Sequence, residues 1–150
     1  MKRLALAAVA AATLAVALPA AAQFQKPEDA IKYREAAFSV LATHFGRIGA
    51  VVQGKAPYDA AATAANAEIV ATLAKLPFTA FGEGTGSGDT RAKAEVWSEA
   101  DKFKAGAQQM SEAVAKLNAA AKAGNLDQIK AAFGDTGKTC KACHDNFRKE

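Results

Sequence analysis

Residues 92–123, AKAEVWSEADKFKAGAQQMSEAVAKLNAAAKA, are the stretch on which the fold turns. Along it Val96, Ala100, Phe103, Ala107, Met110, Val114, Leu117 and Ala121 recur at alternating steps of four and three. That spacing draws one apolar seam down a helix, as left-handed bundle packing requires. Gly124-Asn125 ends this third helix. Beyond it Leu126, Ile129, Phe133, Thr136, Cys140, Cys143 and Phe147 repeat the rhythm, predicting a fourth helix from Leu126 to near the C-terminus. Upstream, a first helix is predicted from about Pro27 to Val52, with Pro27, Glu28 and Asp29 suited to its first turn. Its seam is Ile31, Arg34, Phe38, Leu41, Phe45, Ile48 and Val52. A second is predicted from about Asp59 to Leu76, capped by Asp59, stopped by Pro77, and with a poorer seam of Ala62, Ala65, Ile69, Leu73 and Leu76. Short links make neighbours antiparallel, so the prediction is an all-α, antiparallel up-down-up-down four-helix bundle.

The chain has 150 residues, 51% hydrophobic and 23% charged, which suits one domain with a real core. Alanine dominates and β-branched runs are few, so an all-β sandwich is excluded. Met1-Lys2-Arg3, the apolar run Leu4–Leu18 and the small residues Ala20-Ala21-Ala22 form the three parts of a secretory signal peptide, residues 1–22. Removing it leaves 17 Lys and Arg against 15 Asp and Glu, a balance that argues for no nucleic-acid partner. No later apolar run is long enough to span a bilayer. The glycine-rich run Gly82–Asp89 lacks the Gly-Lys-Ser/Thr of a phosphate loop and is expected to be a flexible crossover at the bundle's end.

Cys140-Lys141-Ala142-Cys143-His144 is a C-x-x-C-H motif, the attachment signature of a c-type haem. Positions i and i+3 share a helix face, so both thiols can reach the vinyl groups on one porphyrin edge. His144, at i+4 from Cys140, can offer an imidazole nitrogen to the iron. A thioredoxin-like pair needs a βαβ setting. A zinc site needs four ligands, and the only other histidine, His44, lies on another helix off its seam. One covalent haem c with its iron, in the bundle core, is the cofactor expected.

A four-helix pattern with C-x-x-C-H near the C-terminus resembles the cytochrome c′ family. The resemblance extends to Lys32-Tyr33-Arg34, His44-Phe45-Gly46-Arg47, Ala56-Pro57-Tyr58-Asp59, the Trp97 region and the run from Cys140 to Arg148. It implies a periplasmic homodimer, associating through the first helix with help from the second, and an unidentified redox partner. It also implies a haem held on one side only, by His144, that binds nitric oxide and carbon monoxide. Phe38 falls at the family's bulky distal position and Arg148 at its proximal arginine. Arg34 interrupts an apolar seam: either its stem snorkels to the bundle's end or its charge meets a haem propionate. Glu35 stands where the family often has glutamine, and two carboxylates there would repel. Asp89 is expected to border the haem edge. Met110, the one methionine after the signal segment, either packs the core or serves as a second axial ligand in a low-spin electron carrier. No distal acid–base pair is visible, so an enzyme is not expected.

Overall fold

The computed structural model describes residues 23–150; the expected signal peptide, residues 1–22, lies outside the described residues. Helix α1 runs over Pro27–Val52, α2 over Ala60–Leu73, the short α3 over Glu95–Ser98, α4 over Ala100–Ala123 and α5 over Leu126–Phe147, with a 3-10 turn at Pro77–Ala80. The four long helices close into a ring: α1 packs on α2 and α5, α2 on α4, and α4 on α5. The all-α bundle is as expected.

Local chemistry sets the helix ends. Pro27 opens α1 with Glu28 and Asp29 in its first turn. The Asp59 carboxylate accepts from the Ala62 N–H at 2.8 Å, and Asn125 Oδ1 accepts from the Gln128 N–H at 3.0 Å. Gly124 ends α4 at φ 71°, the left-handed conformation that glycine tolerates best. The Tyr58 hydroxyl donates to the Gly124 carbonyl at 3.0 Å, tying the two short turns together at one end of the bundle.

The core fills the half of the bundle next to those turns. Ile48, Val70, Val114, Leu117 and Ile129 are almost wholly buried there. Phe45 and Phe133 stack beside them with ring centroids 4.3 Å apart. Gly49 makes that stack possible, because a Cβ on it would stand 2.9 Å from the Phe133 ring. Gly49→Ala must therefore displace the Phe133 ring from its stack or part α1 from α5, and we expect it to cost about 1–3 kcal/mol in denaturant unfolding.

Three sequence expectations are corrected. The third helix is not continuous: Glu99, at φ −117° and ψ 45°, breaks it into α3 and α4, and Ala100 is exposed. The break leaves Trp97 reaching the crossover, where its indole N–H donates to the Phe81 and Gly82 carbonyls. In α2 the buried residues are Thr63, Ala67 and Val70, with Ala74 just beyond, whereas Ala62, Ala65, Ile69 and Leu76 are exposed. Both faces of α2 are alanine-rich, so apolar spacing could not select one. The glycine-rich crossover, finally, is fastened. Gly86 lies against the Trp97 ring, and Thr85 is 5% exposed.

Candidate haem-binding site

The half of the bundle beside the crossover holds a cavity of about 600 Å³, within the range of small-molecule and cofactor sites. One wall is α5, which contributes Cys140, Cys143 and His144. The helical steps of three and four place all three on the cavity side. Both cysteines are free and half-buried. Burial pushes the Cys140 thiol up, with Thr139 partly offsetting it, and pushes the Cys143 thiol up as well, with Cys140 adding to the effect. Burial pushes the His144 imidazole below its ordinary value; Arg148 and Arg91 act the same way and Asp145 opposes them. Its neutral form, the one with a lone pair to give a metal, is favoured.

The wall from α1 carries Arg34, Glu35 and Phe38. Phe38 is half-buried and meets Phe78 edge-to-face at 5.7 Å between centroids. Phe78 and Phe81 both meet Phe103, at 5.7 and 4.9 Å, and Phe103 meets Phe147 at 5.2 Å. All five rings line the cavity and give it an apolar, close-packed interior. Phe78 and Phe81 were not singled out in the sequence, because they lie in the crossover, where no helical period marks them. Met110, 4% exposed, also lines the cavity, at its junction with the core.

Arg34 does not snorkel. It is 2% exposed, and its guanidinium donates to the Ala80 carbonyl (3.0 Å), the Thr85 hydroxyl (3.0 Å), the Thr85 carbonyl (2.8 Å) and the Thr90 hydroxyl (2.7 Å). It also lies over the Phe81 ring at 4.3 Å from the centroid. Of the five guanidinium N–H groups, those four bonds leave only Nε–H for any other acceptor. Thr85 and Thr90 are the signal the sequence hid: hydroxyls in a glycine-rich run look like loop filler until a buried arginine needs acceptors.

Arg148 lines the cavity, but not from the helix. It is the extended residue that follows α5, its N–H donates to the His144 carbonyl at 3.0 Å, and it pairs with Ala92 in an isolated antiparallel bridge. That bridge brings Thr90, Arg91 and Ala92 to the cavity. Asp89 is exposed and is not among the lining residues; the chain turns between it and Thr90, so only the latter faces inward. Glu35 is exposed at the rim. His44 stands apart from the cavity, its Nδ1 2.8 Å from Asn66 Oδ1.

Two thiols and a neutral imidazole on one wall, aromatic rings within and arginines for carboxylates match the donor set and shape of a covalently attached porphyrin. Comparison with known proteins agrees. Residues 29–148 match the family model described as Cytochrome C'. The chain is 55% identical over 128 residues to a cytochrome c' of Alcaligenes xylosoxydans xylosoxydans, covering 85% of this chain and 99% of that one. The solved cytochrome c' of Rubrivivax gelatinosus superposes with a TM-score of 0.83 at 57% identity, covering 85% of this chain and all (100%) of that one. A nitric oxide complex of a mutant cytochrome c prime from Alcaligenes xylosoxidans superposes with a TM-score of 0.81 at 53% identity, over 85% of this chain and 99% of the other. This chain belongs to the cytochrome c′ family, and its cofactor is that family's covalently bound haem c with iron.

Proposed function

We propose that the protein is a periplasmic gas-binding cytochrome whose haem is held from one side only and takes nitric oxide or carbon monoxide on the other. The observation that carries this is one cavity with Cys140, Cys143 and His144 on the α5 wall and Phe38 on the α1 wall. Cys140 and Cys143 form the two thioethers, and His144 supplies the axial nitrogen. When bound, the haem supplies an iron with a coordination position open to a small ligand. Phe38, braced by Phe78, fills the space on the α1 side and keeps out water and larger ligands. Arg148 stands beside His144, where it can meet ligands arriving at that face. Arg34 keeps a positive charge and one N–H at the cavity wall for a propionate, while Glu35 opposes a propionate at the rim. The nitric oxide complex of the Alcaligenes relative supports the choice of gas.

Met110 lines the same cavity, so a low-spin electron carrier with His144 and Met110 as axial ligands is the second reading. An optical spectrum separates them. The purified, exported protein is expected to begin at Gln23, to carry one haem by intact mass, and to show a broad high-spin ferrous Soret band. Sharp, split low-spin bands would replace the first reading with the second. Covalent haem attached in a cytoplasm lacking a maturation system would count against the export requirement.

The homodimer is proposed to form through α1 with help from α2. Val40 is 47% exposed on α1, and Ile69 and Leu76, on and just after α2, are each 37% exposed. Ala37, Ala50 and Val51, also outside the α1 seam, are half-buried. Apolar groups left in water on two packed helices are suited to self-association. Sedimentation at micromolar concentration is expected to give a dimer, and Val40→Glu with Ile69→Glu a monomer. A monomer before any substitution would refute the assembly.

A further inference from the structure

Where the end of α5 meets the segment before α3, the Ala92–Arg148 bridge is flanked by two backbone hydrogen bonds, Lys93 N–H to the Phe147 carbonyl (2.9 Å) and Lys149 N–H to the Arg91 carbonyl (2.8 Å). This short join gathers Arg91, Lys93, Lys141, Arg148 and Lys149 onto one surface. Lys141 and Lys93 converge on Asp145, the first on its carboxylate at 2.6 Å and the second on its carbonyl at 2.9 Å. The Arg91 guanidinium donates to the Lys149 carbonyl. All but Lys93 are exposed.

The charge here is lopsided. Five cations gather here with Asp145 and Glu150 at the α5 end and Asp89 and Glu95 flanking the segment that carries Arg91 and Lys93. The chain after residue 22 has 17 Lys and Arg against 15 Asp and Glu. The cations still outnumber the acids here and carry part of the chain's small positive excess. Three lysines elsewhere on the helices have an acid of their own three residues away: Lys102 with Glu99, Lys130 with Asp127, Lys138 with Asp135. Here Asp145 is already paired with Lys141. Two of the cations, Arg91 and Arg148, also line the cavity beside Cys143 and His144.

We propose that this surface docks the acidic face of a protein electron donor, so that one electron crosses at the α5 edge of the cavity. The inference rests on the placement of the haem at Cys140, Cys143 and His144. The donor is oxidised and the cofactor's iron reduced by that one electron; no bond or proton moves. Complementary charge raises the encounter rate and orients the partner, and salt weakens it.

Two measurements on the holoprotein test this. The first is stopped-flow reduction by the dianionic iron(II)–EDTA complex and by cationic hexaammineruthenium(II), each across a range of ionic strength. The second is binding of a fluorescent poly-glutamate peptide, which needs no redox chemistry. Lys93→Gln with Lys141→Gln and Lys149→Gln is expected to slow the anionic reductant about tenfold at low salt, within the range of electrostatic steering, and to weaken peptide binding by a similar factor. Lys55→Gln with Lys116→Gln and Lys130→Gln removes the same charge elsewhere and is expected to change neither. Equal effects of the two triple variants, or none from the first, would overturn the surface. So would vesicles containing phosphatidylglycerol binding at this site in place of the peptide. Failure of both reductants with peptide binding intact would instead sink the docked donor together with the haem placement beneath it.

Discussion

Phe38→Ala is expected to raise the carbon monoxide association rate of the ferrous protein by about tenfold or more, the equivalent of ~1.4 kcal/mol of barrier. The ring is half-buried on the α1 wall and held edge-on by Phe78 at 5.7 Å, so a ligand entering from that side must displace it against a packed neighbour. Removing it opens the space without touching His144, and the haem is expected to stay attached. Water entering the ferric protein is the accompanying sign, seen as a changed charge-transfer spectrum. The cavity created also weakens the fold, by about 3 kcal/mol at the lower end of the Phe→Ala range, because the ring is only half-buried. Phe38→Val keeps part of the volume and is expected to fall between the two in both rate and stability.

Met110→Leu decides whether that result means what it is taken to mean. Met110 is 4% exposed, packs within the core cluster with Val114 and Leu117, and also reaches the cavity. Leucine nearly conserves its volume, so the fold is expected to lose less than about 1.5 kcal/mol. If Met110 only packs, the carbon monoxide rate stays near that of the parent. A large gain at Met110 with little change at Phe38 would mean that ligand binding waits on breaking a sulfur bond, and would overturn the open-position reading.

How much of this was legible in the sequence depends on whether a feature is local or assembled. The bundle, the Asp59 cap and the Gly124-Asn125 turn are carried by spacing within a few residues and stand as expected. The Cys140–His144 motif is equally local, and its cysteines and histidine line one cavity. The α2 seam failed because alanine makes both of its faces apolar, and burial there is set by what α1 and α4 present. The break at Glu99 was invisible because Val96 keeps the rhythm of the seam while Trp97 serves the crossover. Arg148 falls near the end of the fourth helix as the sequence draws it, whereas α5 stops at Phe147. The true neighbour of Arg148, Ala92, lies more than fifty residues away in sequence, and no periodicity links them. The crossover itself was the least legible part. Its glycines announce a loop, but its geometry is written by one arginine on a different helix.

That arginine carries an expected stability effect as large as that of Phe38→Ala. Arg34→Met keeps most of the stem and removes the guanidinium, leaving the Ala80 and Thr85 carbonyls without their donor in a place water does not reach. Each orphaned buried acceptor costs about 1–3 kcal/mol. The threonine hydroxyls suffer less, since Thr85 still donates to the Gly82 carbonyl and Thr90 still accepts from the Ala92 N–H. Against this stands a gain: a buried charge with no carboxylate partner in the protein is itself unfavourable, and burial already lowers the Arg34 pKa, with Glu35 only partly restoring it. The orphaned carbonyls outweigh that gain, because the guanidinium was hydrogen-bonded in place and stacked over Phe81 at 4.3 Å. A net loss of about 3 kcal/mol in denaturant unfolding is expected, with faster amide exchange across residues 85–92 than in the helices. Thr85→Val, which removes one hydroxyl and leaves the carbonyl bonded, is expected to cost only about 1 kcal/mol. Arg34→Lys restores the charge but not the fork, and should recover less than half of the loss. If Arg34→Met proves no more damaging than Thr85→Val, and exchange in the crossover does not change, then the loop is held by its own turns and by Trp97, and the guanidinium is free for the haem alone.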